Sequence, residues 1–171
     1  MIAALLLAAV LPAASCHEIA SDRIYARDLA AAVPLFSTLP PDVAVGLAPI
    51  PGRQRVFRIA ELRRIALTNH LPVDALADTC FEWKIAPPDP ARIVEAMKKS
   101  LAGRETSIEI VDYSRAEIPR GELSFPPAGI SAVSDAPVVW RGYVTYAESR
   151  RMNVWARVRI TVKCTRVVAL A

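Results

Sequence analysis

The sequence has 171 residues, of which 53% are hydrophobic and 22% charged, with a formal net charge of +4. This is a globular composition that excludes a disordered chain, and the length suits one domain or two small ones. The positive charge is spread along the chain and not gathered in a tail, so by itself it names no ligand.

The opening "MIAALLLAAVLPAASC" has an apolar run from Ile2 to Leu11, a break at Pro12, and small residues Ala13 and Ser15 at the −3 and −1 positions of a cleavage site. It predicts a signal peptide over residues 1–15 and export, although no Lys or Arg precedes the run. Such a run is too short to cross a hydrocarbon core of ~30 Å, so no stable membrane insertion is expected. "AASC" also resembles a lipoprotein box, with Ala13 where leucine is usual.

After the leader, "SDRIYARDLAAAVPLF" predicts a short strand around Ile24 and a helix from near Asp28. "PDVAVGLAPIPGRQRVFRI" gives two β-like runs, Val43–Leu47 and Arg55–Ile59, joined by a Pro-Gly turn. In "IAELRRIALTNHL", Leu62, Ile65, Ala66 and Asn69 fall at helical spacing with the charges opposite. Residues 16–70 are therefore expected to form a small α/β unit.

Residues 71–171 are expected to form an α+β unit. "TCFEWKI" alternates Cys80, Glu82 and Lys84 with Phe81, Trp83 and Ile85, a strand pattern. "PPDPARIVEAMKKSLAG" carries helix signals: Asp89 to cap, Pro90 in the first turn, Lys98 and Lys99 at the negative end, and Gly103 as the stop. Its buried stripe would be Ile93, Ala96, Met97 and Leu101. "TSIEIVDYS", "GELSFP" and "PVVWRGYVTYA" return to strands. The last turns through "ESRR" into "RMNVWARVRITVKC", which alternates Met152, Val154, Ala156, Val158, Ile160, Val162 and Cys164 with Asn153, Trp155, Arg157, Arg159, Thr161 and Lys163. "TRVVALA" would begin another strand. The expected class is α+β, mainly antiparallel, with a long C-terminal β-hairpin and about three helices.

The residues offer little chemistry. Cys16, Cys80 and Cys164 show neither CxxC spacing nor a histidine cluster, so no metal is expected. In an oxidising compartment two of the three should pair. Cys16 immediately precedes the first strand and Cys80 opens a central one, which predicts a Cys16–Cys80 disulfide and leaves Cys164 as a small core residue. His17 and His70 are isolated, and Glu105 and Glu109 sit on a strand with no cleft around them. Nucleophile elbows, HExxH and glycine-rich phosphate loops are all missing. No enzyme activity and no cofactor are expected. The cationic face around Trp155 carries too few aromatics for a base-stacking sheet, so no nucleic acid is expected. Most of that face is the wet side of an antiparallel sheet. Trp155, Arg157 and Arg159, with Tyr143 on the partner strand, are the candidate partner contact.

"WRGYVTYAESRRMNVWARVRI" resembles the flagellar basal-body P-ring formation protein family, as do "DRIYARDLAAAVPLF", "LAPIPGRQRVFRIAEL" and "CFEW". The specificity lies in the order of these patches, which together span most of the mature chain. The resemblance implies a periplasmic assembly chaperone that binds the P-ring subunit transiently. In the family a C-terminal SAF domain, a β-clip module, follows a bridge like "TRVVAL", and the sequence stops at Ala171 where that module would begin. The alternatives are a periplasmic SAF-related module for pilus or envelope assembly, binding glycan or protein, and a small exported enzyme.

Overall fold

The computed structural model describes residues 15–73, 75–101, 106–131 and 136–162. Most of the leader, Gly103, Glu105, Cys164 and the strand expected from Thr165 lie outside the described residues. Directly after Cys16, His17–Ile19 form β1, and Arg23–Tyr25 form β2. Helix α1, Ala26–Ala32, begins two residues before Asp28, because the Asp28 carboxylate reaches back to accept the Tyr25 N–H at 2.8 Å. That places Asp28 at the third helical position, where a carboxylate satisfies a free amide and suits the positive helix end. A 3-10 turn at Pro34–Thr38 follows.

Strands β3 (Ala44–Leu47) and β4 (Gln54–Phe57) flank a turn in which Gly52 takes φ +78°. They do not pair with each other. β3 runs antiparallel to β2, while β4 joins β5 (Thr79–Trp83), which pairs in parallel with β1 on its other side. The resulting order is β1-β5-β4. Helix α2, Ile59–Thr68, ends with His70 in the left-handed region at φ 57°, and the Leu71 N–H closes on the Ala66 carbonyl at 2.9 Å.

Alternation in β5 buries Thr79, Phe81 and Trp83 and leaves Cys80 and Glu82 on the other side. Phe81 meets Phe57 edge-on at 5.7 Å, within a core that includes Ile19, Ile24, Leu29, Phe36 and Leu62. By pairing and by packing, then, β5 belongs with the N-terminal unit. The division expected at residue 70 falls instead in the stretch around β6 (Ile85–Ala86), because the central strand of the first sheet comes from beyond that boundary.

Helix α3, Pro90–Ser100, starts as its residues dictate: the Asp89 carboxylate accepts the Ala91 N–H at 2.9 Å and Pro90 occupies the first turn. β6 pairs with β8 (Ile118–Pro119). The larger sheet combines β7 (Thr106–Tyr113), β9 (Glu122–Ser124), β10 (Val138–Tyr146) and β11 (Arg150–Val162) in the order β7-β11-β10-β9, all antiparallel. Its inner face carries Leu123, Trp140, Val144, Val154, Ala156 and Val158 onto Ile93 and Met97 of α3. The Trp140 indole N–H donates to the Pro126 carbonyl at 2.8 Å, so the buried ring keeps its hydrogen bond. At Gly142 a Cβ would lie 2.4 Å from the Ser124 carbonyl oxygen, so only glycine lets β9 and Phe125 close against β10.

The two cores meet at the hairpin tip. Tyr146 is buried in the N-terminal core with its ring edge-on to Trp83 at 5.2 Å, and Met152 packs against both cores. The fold is α+β with a long C-terminal hairpin and three α-helices among the described residues.

Cys16 and Cys80 form a disulfide with Cα atoms 4.7 Å apart, joining the residue before β1 to the centre of the first sheet. With the cysteines at a sequence separation of 64, the chain-entropy argument assigns it ~4 kcal/mol. Non-reducing peptide mapping should recover a Cys16–Cys80 peptide, and Cys16→Ser/Cys80→Ser should lower unfolding free energy on that scale. Val158 is fully buried and its neighbour Arg157 exposed. Val158→Asp should therefore prevent stable folding, since an unpaired buried carboxylate costs several kcal/mol. Arg157→Ala should shift stability by no more than about 0.5 kcal/mol in a denaturant melt.

Candidate functional site

Every second residue of β11 from Arg151 to Thr161 is exposed, on the face of the large sheet opposite α3. Antiparallel pairing sets Arg141 across from Trp155, Tyr143 across from Asn153, and Val139 across from Arg157. The four residues singled out from the sequence, Tyr143, Trp155, Arg157 and Arg159, thus share one surface on adjacent strands. Trp155 is 40% exposed, whereas Trp83 and Trp140 are buried. Beside it lies a shallow depression of about 410 Å³ lined by Val139, Arg141, Gly142, Asn153, Val154 and Trp155.

The four do not act alike. Arg159 donates to the Glu109 carboxylate of β7 at 2.8 Å, so its charge already has a partner. Arg157 and Arg141 form no ion pair among the described residues. Tyr143 does not stack with Trp155. Instead the Arg151 guanidinium covers the Tyr143 ring, 4.3 Å from its centre. Arg141 and Arg151 were not among the sequence candidates. The signal was present in "VVWRGYVTY" and "RRMNV", since period two in both strands and the hairpin register put them on this face.

At the β7 side the register skips a residue. Arg157 faces Asp112 and Val158 faces Ile110, so Val111 has no partner on β11 and stands exposed. This bulge crowds Asp112 and Val111 along one margin of the face, with Asp112 also 3.7 Å from Arg115. Glu122 on β9 marks the other margin and binds Lys99 at 3.0 Å. The surface is a cationic strip two strands wide between carboxylate margins.

Other groups with chemical potential are structural. His17 lies 5.7 Å from the Phe81 ring, and His70 closes α2. Among the described residues no group of three His, Cys, Asp or Glu is placed to hold a metal, and no helix is long and apolar enough to cross a membrane. A larger depression of about 550 Å³ lies along β4 and β5, where Gln54 donates to Glu82 at 3.1 Å. The Asp78 carboxylate accepts from Arg58 at 2.6 Å and from the Ile59 N–H at 2.9 Å, which holds its pKa below the usual carboxylate range. It serves as a cap for α2 supplied from the next connection. No family model, curated protein or solved structure matches the chain.

The Asp78 cap implies a pH dependence of defined sign. A depressed folded pKa stabilises the fold above the unfolded value, and the gain is lost as pH falls through the folded pKa. Asp78→Asn should lower the melting temperature at neutral pH, and the difference from the native protein should vanish in strong acid. A difference independent of pH would show that the carboxylate acts through its shape and not its charge.

Proposed function

We propose that the protein is a periplasmic assembly chaperone that binds the P-ring subunit transiently during formation of the flagellar basal-body P-ring. The reading includes export, with removal of residues 1–15, and assigns no catalytic step, cofactor or nucleic acid. One observation carries it. The segment most like the P-ring formation family, Trp140 to Ile160, is the β10–β11 hairpin that presents the exposed aromatic and cationic strip. A surface of this kind suits a partner that must be held and then released. Two strands' width of sheet with one half-exposed tryptophan provides a modest interface of apolar anchor and polar rim, unlike an obligate core-like contact. Tyrosine, tryptophan and arginine are the residue types that tend to dominate binding energy, and Tyr143, Trp155 and Arg157 supply all three.

Deletion of the whole reading frame should abolish motility and P-rings, and the native gene should restore both. Complementation by Trp155→Ala/Arg157→Ala should be impaired, with the variant protein present at normal level. A motile deletion strain with intact P-rings overturns the proposal, while full rescue by the double variant removes only this face from it.

A further inference from the structure

We infer that the outer face of β10 and β11 receives an acidic polypeptide segment in extended form, lying along β11, with Arg151 and Arg157 each meeting a carboxylate and Trp155 meeting an apolar side chain between them. For the identity of the partner carrying that segment, the inference rests on the chaperone reading above. For the chemistry it rests on the face itself.

The charge on the two central strands is of one sign. Arg141, Arg151, Arg157 and Arg159 all lie on the outer side, and neither strand places a carboxylate there. Among the described residues, only Arg159 is engaged by an acid from a neighbouring strand. Arg151 and Arg157 lie six residues apart on the same side of β11, about 20 Å in a strand. An extended segment has the same rise, so two carboxylates at the same spacing would fall opposite both guanidinium groups. Guanidinium binds carboxylate through paired N–H donors, which gives direction as well as attraction. Between them, four residues from Arg151 and two from Arg157, stands Trp155, and next to it the depression floored by Gly142 and Val154. Gly142 lacks a side chain because Phe125 and the Ser124 carbonyl fill the space a Cβ would take on the inner side.

The margins argue for a polypeptide over a continuous polyanion. Glu109 and Asp112 on β7 and Glu122 on β9 border the strip at about one strand spacing on either side. A nucleic-acid duplex, with a charge every ~1.7 Å, or an anionic membrane would press negative charge against those acids. A single extended segment fits between them.

The test uses the purified protein and two synthetic peptides. One carries aspartates at the Arg151–Arg157 spacing with a phenylalanine two residues from one and four from the other, so that all three share one side of an extended chain, and the other has lysines in place of the aspartates. Trp155 is the exposed member of three tryptophans, so iodide quenching of intrinsic fluorescence reports on this face directly. The acidic peptide should bind at least tenfold more tightly than the lysine peptide, protect Trp155 from iodide, and weaken as salt is raised. Arg151→Glu/Arg157→Glu, checked for folding by circular dichroism, should reduce its affinity tenfold or more. Equal binding of the two peptides, no binding of either, indifference to the charge reversal, or tighter binding to phosphatidylglycerol vesicles or duplex DNA overturns the inference. The P-ring subunit is titrated in parallel. Subunit binding that ignores the charge reversal sinks this inference and leaves the chaperone reading standing. Acidic-peptide binding without any subunit binding does the reverse.

Discussion

The period of two in β11 is the constraint on which the rest of the molecule depends. Nine successive pairs bind it to β10, and β7 flanks its other edge. A slip of one residue would carry Val154, Ala156 and Val158 to solvent and the guanidinium groups of Arg151, Arg157 and Arg159 toward α3. The apolar side recruits α3 and Phe125, and the polar side is what remains for contact. Because the hairpin is long, its tip reaches past its own sheet, and Tyr146 becomes part of the neighbouring core. One strand therefore sets the inner core, the outer face and the junction between the units.

Elements whose signals are local could be read from sequence. The α3 boundaries follow from Asp89, Pro90 and the lysine pair, and the hairpin follows from alternation on both sides of "ESRR". The pairing of short strands could not be read in this way. β1 has three residues and pairs in parallel with a strand more than sixty residues away, which leaves no pattern in a local window. β3 and β4 look like a hairpin because a Pro-Gly turn separates them, yet each finds a better partner elsewhere. Gly46 of β3 lies where a Cβ would come within 2.8 Å of the Phe57 ring, so the two strands cross in depth without sharing a ladder. The place of β5 between β1 and β4 is hidden in the same way, since a central strand cannot be assigned before its neighbours are known.

The site was partly legible for the same reason. Alternation identified the face, and with it Trp155, Arg157 and Arg159. It could not show that Glu109 occupies Arg159, because that contact depends on the β7 register, and the register depends on the bulge at Val111. Nor could it show Arg151 over Tyr143, a diagonal contact that takes up the ring expected beside Trp155. The exposed ion pairs at the margins contribute little to stability, typically 0–1 kcal/mol each. Their larger effect is to confine the positive potential to the two central strands.

The covalent link between Cys16 and Cys80 also sets how the N-terminal unit would bear a mechanical load. A pull applied at Cys16 enters the disulfide and passes straight to β5, the middle strand of its sheet. The hydrogen bonds of β1 are bypassed, so this three-residue strand cannot be peeled away first. Yielding would instead require shearing β5 from β4 or drawing Phe81 and Trp83 out of the core. The shortest strand in the sheet is in this way shielded by the bond that precedes it.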